Sequence, residues 1–308
     1  MKNILVLGAN GFLGSHFCKI LNKRNYKIFP VVRYSSNLKR FRKLNKKGKI
    51  TILKYKDISD THRIIKFIKK YNINILINFA AHGVLFRKDA KDFKIFNKVN
   101  YLDVKNLIQN CLELKLEKYV HIGTISEFGK QKGKIYDGLK ENAFDKYSLS
   151  KLNFTNFLKF HHNKSKLPFI LLRLFPIYGP LENKKKLFPY IIHNIKKNLK
   201  VKLTSGKQIR NYTYVDDINL AIIKCIESKN ILNKSLILGN EKSETLKNIV
   251  YKIVNTLKKK KKLIIWNNIK RKDENIDYVP DLKKTKKLLK WKPTISLEVG
   301  VKKMEKYL

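Results

Sequence analysis

Nowhere in this chain does an apolar run reach the ~20 residues that span a bilayer, which excludes a helical membrane span as its working part. Nor does the opening segment read as a secretory leader. Met1-Lys2-Asn3 passes straight into Ile4-Leu5-Val6-Leu7, too short for a signal-peptide core and with no small-residue cleavage site behind it, so the segment reads as the first strand of a cytoplasmic protein. Cysteine is scarce, with 3 in 308 residues. Cys18, Cys111 and Cys225 are odd in number, far apart and each set in an amphipathic stretch, which predicts buried thiols in a reducing compartment. No metal-ligand spacing, internal repeat or low-complexity linker is present.

Acidic residues are also few: 23 Asp and Glu stand against 69 Lys and Arg, a formal charge of +46. That balance points in general to nucleic acid or an anionic membrane. Here the lysines run through the whole chain beside abundant Ile, Asn, Tyr and Phe, as a compositional bias leaves them. The densest run, Lys258 to Lys262, falls between an expected helix and an expected strand as a solvated loop. No nucleic-acid partner is expected. A basic field does draw in diphosphates.

What is present is alternation. Strand-like runs at Ile4 to Leu7, Lys27 to Val32, Lys49 to Tyr55, Ile75 to Phe79, Tyr119 to Ile122 and Phe169 to Leu174 alternate with helical periodicity at Phe12 to Asn22, Thr61 to Tyr71, Asn97 to Leu114 and Tyr147 to His161. This pattern predicts an α/β, doubly wound parallel sheet with helices on both faces. After Pro176 the pattern shortens, with helices expected at Leu187 to Lys197, Asp217 to Ser228, Thr245 to Leu257 and Asp281 to Leu289. The expected division is a dinucleotide-binding domain over 1–175 and a smaller C-terminal domain over 176–308, some of whose segments return to the first.

The turn from the first strand into the first helix reads Gly8-Ala9-Asn10-Gly11-Phe12-Leu13-Gly14. Such a turn needs positive dihedrals and close backbone approach, both easiest for glycine, and its helix N-terminus offers N–H groups to a pyrophosphate. About 20 residues past such a loop an acid usually holds the ribose hydroxyl of NAD, whereas an arginine accommodates the 2′-phosphate of NADP. No Asp or Glu occurs before Asp57, while the second strand ends on Arg33 with Ser35 and Ser36 close behind. The expected cofactor is therefore NADP(H), with NAD(H) possible. Asp57 and Ile58, just past the third strand, are placed to meet the adenine; an N-cap role for Asp57 or Asp60 is the alternative.

Tyr147 and Lys151 lie four residues apart, on one helical face. A phenol titrates near ~10 and is a poor base by itself, but a neighbouring cation favours the phenolate. Thr124 stands at the end of the fifth strand, where ligands bind in an open α/β sheet, and its hydroxyl suits hydrogen bonding to a reacting oxygen. A turn hydroxyl bonding its own backbone is the alternative for Thr124.

Taken in order, Gly8 to Gly14, Asn78-Phe79-Ala80-Ala81, Asn100, Gly123 to Gly129 and Tyr147 to Lys151 resemble the motifs of the extended short-chain dehydrogenase/reductases, the epimerase/dehydratase family acting on nucleotide sugars. The likeness continues through Leu172 to Pro180, Arg210 ahead of Tyr214-Val215-Asp216-Asp217, Leu238-Gly239-Asn240 and Leu289 to Pro293. The resemblance implies a Rossmann fold with a smaller nucleotide-sugar-binding domain, and it implies roles. Tyr147 would exchange a proton with the sugar oxygen, Lys151 would hold the nicotinamide ribose and tune Tyr147, Thr124 would polarise the carbonyl, and Asn100 would support the helix and the proton path. Gly8, Gly11, Phe12, Leu13, Gly14, Arg33, Asp57, Ile58, Ala80 and Ala81 would line the cofactor. Arg210 would grip the substrate diphosphate. A homodimer through the helices that start near Asn97 and Tyr147 is implied as well.

Departures narrow the reading. Family dehydratases carry an Asp-Glu pair after the catalytic threonine, where this chain has Ile125-Ser126. Glu127 follows, either touching the sugar or facing water. Pro176 replaces the asparagine frequent in family epimerases. The expected activity is a nucleotide-sugar 4-ketoreductase, with a 4-epimerase as the alternative. A non-catalytic Rossmann protein that senses dinucleotides or binds RNA is a third reading, against which intact Thr124, Tyr147 and Lys151 argue.

Overall fold

The computed structural model describes residues 1–41, 50–83, 90–131, 133–165, 167–269 and 277–308. The chain divides into two compact units, one of residues 1–129, 140–173 and 222–236, the other of 130–139, 174–221 and 237–308.

The first unit is built on β1 (Lys2–Leu7), β2 (Tyr26–Arg33), β3 (Leu53–Tyr55), β4 (Ile75–Asn78), β5 (Lys118–Thr124), β6 (Phe169–Leu174) and β7 (Lys234–Leu238), which form a seven-stranded sheet in the order β7-β6-β5-β4-β1-β2-β3. From β3 to β5 every pairing is parallel, with Ile4 opposite Ile28 on one side and Ile75 on the other. Successive strand residues point to opposite faces, yet Ile4, Leu5, Val6 and Leu7 are all fully buried, so both faces are covered. Leu5, Leu7, Phe29, Leu76 and Tyr119 pack with Ile64, Leu107, Ile108, Phe154 and Leu158 from α2 (Thr61–Lys70), α4 (Asp103–Cys111) and α5 (Lys146–Ser165). Each such side chain contributes roughly 1.5–3 kcal/mol when fully buried. α1 (Phe12–Leu21) buries Phe17, Cys18 and Leu21 and sets Phe17 against Phe79, ring centroids 5.2 Å apart.

The helices follow their patterns. In α2, Thr61, Ile64 and Ile68 form the buried stripe while Lys66, Lys69 and Lys70 stay exposed. Asp145 starts α5, its carboxylate accepting the Ser148 amide at 2.7 Å. The helix expected from Asn97 differs: α3 (Ala90–Asn97) begins earlier and passes through a π turn at Lys98–Leu102 before α4. The wider turn sits where buried Asn100 bonds sideways to other segments. The third strand covers only Leu53–Tyr55, with Ile50 making an isolated bridge to Ile28; Lys49, where it was expected to begin, lies outside the described residues.

The second unit consists of helices Leu187–Lys196, Leu246–Thr256, Lys283–Leu289 and Leu297–Glu305, the first part of Val215–Glu227, and two-residue ladders. The Asp217 carboxylate ties down the amides of Thr294 and Ile295 at 3.1 and 3.0 Å. Neither β7 nor Leu297–Glu305 was expected from the sequence. Gly300, which lowers the helical signal of that last helix, is there because a side chain would collide with the Tyr178 ring, whose hydroxyl lies 2.4 Å from where its Cβ would stand. Among the described residues no helix is long and apolar enough to cross a membrane.

Candidate active site

The strand order reverses between β1 and β4, because the chain leaves β3 and re-enters beside β1. In open α/β sheets ligands bind outside the carboxyl ends of the strands at such a point. Gly8 follows β1 with φ +69°, and a Cβ there would stand 2.5 Å from the Ala80 backbone nitrogen just past β4. A Cβ on Gly14 would stand 2.6 Å from the Gly8 carbonyl oxygen. The two glycines let the loop, the β4 end and the start of α1 close on one another. No side chain caps α1 at Gly11, and no acid lies in its first turn. Phe12 and Leu13 are half-buried over that helix start. A helix start with uncapped amides, positive dipole end and backbone-only walls fits a dinucleotide pyrophosphate.

Around this cradle the expected cofactor residues take different positions. Ala80 donates its amide to the buried Asn78 side chain at 2.9 Å, and Ala81 is exposed. Arg33 ends β2 and is exposed. Asp57 does not take the N-cap of α2: its carboxylate accepts the Ser59 amide at 2.8 Å and the Ser59 hydroxyl, and these bonds, helped by the charges of Lys98 and Lys56, hold it below the usual carboxylate range. Asp60 takes the N-cap position without a side-chain cap bond, and Ile58 is buried. Arg40, which was not singled out in the sequence, reaches back from a short turn and donates to the Asn10 carbonyl inside the glycine loop. Only its position seven residues after Arg33 could have drawn attention to it.

The expected catalytic residues Thr124, Tyr147 and Lys151 stand on β5 and α5. Tyr147 is half-buried on the first turn of α5, with its ring edge-on to Phe96 at 5.8 Å. One turn on, buried Lys151 donates to the Ile122 carbonyl at 2.6 Å and lies 3.2 Å from His121 Nε2. Burial, partly offset by the Glu127 carboxylate, brings the Lys151 ammonium down to about 8. Asn100 accepts the His82 amide at 2.8 Å and donates to the Ser150 hydroxyl at 3.0 Å, joining the loop after β4 to α5.

Thr124 ends β5 and opens a short turn, its Oγ1 accepting the Ser126 amide at 3.2 Å. That bond uses the oxygen as acceptor, and a hydroxyl in this state can still donate its proton. Glu127 meets neither water nor the surface: it is fully buried, with Oε1 accepting the Thr124 amide at 2.8 Å and Oε2 accepting the Thr155 hydroxyl at 2.8 Å and Arg173 Nε at 3.0 Å. Arg173, also buried, bonds Glu141 at 2.6 Å and Ser235 at 3.1 Å and lies 4.6 Å above the Phe128 ring. Of the two alternatives expected for Glu127, touching the sugar or facing water, the second gives way to a buried ion pair that fixes the Thr124 turn. Its partner lies 46 positions away in the chain, beyond any local pattern.

Arg210 belongs to the second unit. It pairs opposite Glu244 in a two-residue ladder, is mostly buried, donates to the Ile209 carbonyl at 2.9 Å and lies 4.9 Å above the Tyr278 ring. The three cysteines are buried, and burial pushes their thiols up, Cys111 and Cys225 to about 12.

With this geometry in place, comparison with known proteins defines the class. The chain belongs to the NAD dependent epimerase/dehydratase family, whose model matches residues 4–239. It is 23% identical over 315 residues to an uncharacterized UDP-glucose epimerase, YtcB, of Bacillus subtilis, covering 99% of this chain and 97% of that one. It is 27% identical over 305 residues to the CDP-abequose synthase of Salmonella muenchen, covering 98% and 97%. Among solved structures, a UDP-glucuronic acid 4-epimerase from Bacillus cereus in complex with UDP-glucuronic acid and NAD superposes with a TM-score of 0.88 at 24% identity, over 99% of this chain and 98% of that one. That likeness establishes the Rossmann architecture. The family and fold expected from the ordered motifs are thus the ones found.

Proposed function

We propose that this protein is a reductase of nucleotide-linked 4-keto-hexoses, with NADPH as its preferred hydride source. The observation that carries the reading is the turn after Thr124. Thr124, Tyr147 and Lys151 are present, but the position where family dehydratases carry the first of two acids is Ile125, which is buried, and the next is Ser126. Proton removal for water loss has no carboxylate there, whereas carbonyl reduction needs only a hydroxyl donor, a phenol and a cation.

In this reading the Thr124 hydroxyl donates to the sugar carbonyl and Tyr147 gives its phenolic proton to the same oxygen. Lys151 holds positive charge one helical turn away, which lowers the cost of the phenolate left behind. The nicotinamide, when bound, supplies the hydride for carbon 4. Gly8, Gly11 and Gly14 hold the pyrophosphate against the start of α1, and Ala80 and Ala81 border the same cradle. Arg33, with Ser35 and Ser36 close behind it in the chain, takes the 2′-phosphate, and Arg210 in the second unit takes a phosphate of the substrate. Support for NADP lies in the lack of any acid before Asp57 and the arginine at the end of β2. A homodimer belongs to the same reading, since Ile95, Leu102, Leu149 and Phe160 are exposed on the helical segments α3 to α5. Sedimentation of the purified protein tests it, and a monomer at micromolar concentration removes it.

The 4-epimerase reading is favoured by the name of one relative and by the NAD found in a structural neighbour. One experiment separates the two. A 4-keto-6-deoxyhexose linked to CDP, dTDP or UDP is offered with NADPH, and loss of reduced-nicotinamide absorbance matching alcohol formed one for one is the expected result. Tyr147→Phe abolishes it while dinucleotide still binds. Tightly bound NAD in the purified protein, with interconversion of two saturated nucleotide hexoses and no cofactor consumed, overturns the reductase reading.

A further inference from the structure

Behind Lys151 lies a buried polar chain that the proton transfer above leaves unused. Strand geometry puts Tyr119 and His121, two residues apart, on one face of β5, and both are within 1% of full burial. Lys151 Nζ is 3.2 Å from His121 Nε2, and His121 Nδ1 is 3.0 Å from the Tyr119 phenol oxygen. Phe154, the next turn of α5 after Lys151, sets its ring 4.4 Å from the imidazole and closes the apolar wall around it.

An ammonium has donors only. While Lys151 is charged, Nε2 of His121 must accept, so the ring proton sits on Nδ1 and is donated to the Tyr119 oxygen. When the trio gives up one proton and Lys151 is a neutral amine, the opposite polarity becomes the favoured one: the ring proton moves to Nε2 and is donated to the amine lone pair, and the Tyr119 hydroxyl donates to Nδ1. The groups set against Lys151 are His121 and the Ile122 carbonyl from β5 and Glu127 from the turn that follows it; Tyr119 of β5 meets His121, with Asn78 of β4 and Cys111 of α4 beside its phenol. Burial, and then the Lys151 charge, hold His121 well below the ordinary imidazole range, and burial pushes the Tyr119 phenol up, so both stay neutral while Lys151 titrates at about 8.

We propose that His121 is the positioning residue for Lys151: its neutral imidazole is the side-chain acceptor that keeps the ammonium charged and aimed within a dry wall, and its tautomer reverses with that charge. The consequence for turnover rests on the assignment of Lys151 and Tyr147 above; the tautomer does not.

Two measurements on the full chain test this. Nitrogen NMR with labelled histidine resolves a small set, since the chain has 7 histidines, and His121→Gln identifies the signal. The expected spectrum shows a neutral Nδ1–H ring at neutral pH that converts to Nε2–H around pH 8, the point set by Lys151, and that no longer converts in Lys151→Met. An Nε2–H ring or an imidazolium at neutral pH, or a tautomer indifferent to pH, overturns the proposal whatever the reaction is. In turnover, His121→Phe, verified to bind dinucleotide, removes the acceptor and moves the alkaline limb of kcat/KM down by about one pH unit, the shift expected for one lost hydrogen bond to a charge. His121→Gln, whose side-chain oxygen can accept in the same place, brings the limb back. Superimposable limbs in wild type and His121→Phe, or a His121→Gln shift as large as that of Phe, refute it, while absence of ketoreductase activity in every variant counts against the functional reading alone.

Discussion

The two ends of the first unit's site are built on opposite terms. On the side of β5 and α5, Lys151, Glu127 and Arg173 are enclosed and bonded to fixed partners before any substrate arrives. At the end of β2, Arg33 stands in solvent, and Asp57 is occupied with its own turn. A buried charge is costly unless paired, so the protein must complete the catalytic wall itself, and every member of it then has a large effect when removed. An exposed charge is screened and costs little to keep, so the arginine proposed to receive the 2′-phosphate can stand at the end of β2 without stabilising the fold. In the proposed reading, stability and chemistry are carried by the wall, and cofactor choice by the rim.

The hardest test of that contrast is Arg173→Leu. It leaves Glu127 buried at 0% exposure without its cation, and the Thr124 turn loses the group that holds its anchor. Breaking a buried pair by removing one partner costs about 3–5 kcal/mol, so the free energy of unfolding obtained from denaturant titration should drop by that amount. Replacing both members, Arg173→Met with Glu127→Leu, should return much of the loss while leaving turnover low, because Thr124 no longer has a fixed turn. An Arg173→Leu protein as stable as wild type would mean the wall is not held by this pair.

How much of this could be read beforehand follows the same division. The glycine loop, the strand–helix alternation and the Tyr147–Lys151 spacing are local, and the sequence states them directly. β7 is not legible in the sequence because Ser235-Leu236-Ile237-Leu238 offers only three apolar residues in a row, too little to name a strand without the sheet edge that receives it. The last helix was hidden by Gly300, whose missing side chain is explained only by the Tyr178 ring. The wall around Thr124 is illegible for a related reason: Glu127, Glu141, Thr155 and Arg173 meet through the fold, and an acid near a predicted strand end looks the same in sequence whether it faces water or a buried guanidinium. His121, similarly, reads as one more residue of a buried strand until Lys151 is placed beside it.

A middle case lies at the glycine loop, which is backbone and carries no charge. Gly8→Ala imposes ~1–2 kcal/mol for an L-residue in the left-handed region and in addition drives its Cβ to 2.5 Å from a backbone nitrogen that cannot swing aside. Dinucleotide affinity should fall more than tenfold, read by titration of either cofactor. Gly133→Ala has the same kind of dihedral, φ +82°, but nothing within 4 Å of the new methyl. It should cost only the dihedral and leave affinity unchanged. Equal affinities in the two variants would show that the close approach of the loop to the β4 end is not what shapes the cofactor site.

The smallest effect, and the one that sharpens the contrast most, is expected at Arg33. A charge-assisted bond to a phosphate contributes about 1.5–3 kcal/mol in general, but Arg33 is exposed, and solvent screening places it at the low end. Arg33→Ala should weaken NADPH binding about tenfold, or about 1.4 kcal/mol, and leave NADH binding and the unfolding midpoint where they were, since neither involves the 2′-phosphate. The wild-type preference for NADPH should shrink as salt is added, because an exposed pair is screened over roughly 10 Å at 0.1 M, whereas the alkaline limb set by buried Lys151 should hardly move with salt. Arg40→Ala separates the two arginines. Its guanidinium is held against the Asn10 carbonyl, so its loss should loosen the loop and weaken both cofactors together. Equal wild-type affinities for NADPH and NADH would remove the cofactor argument from Arg33 and leave the rim without a function that its exposure explains.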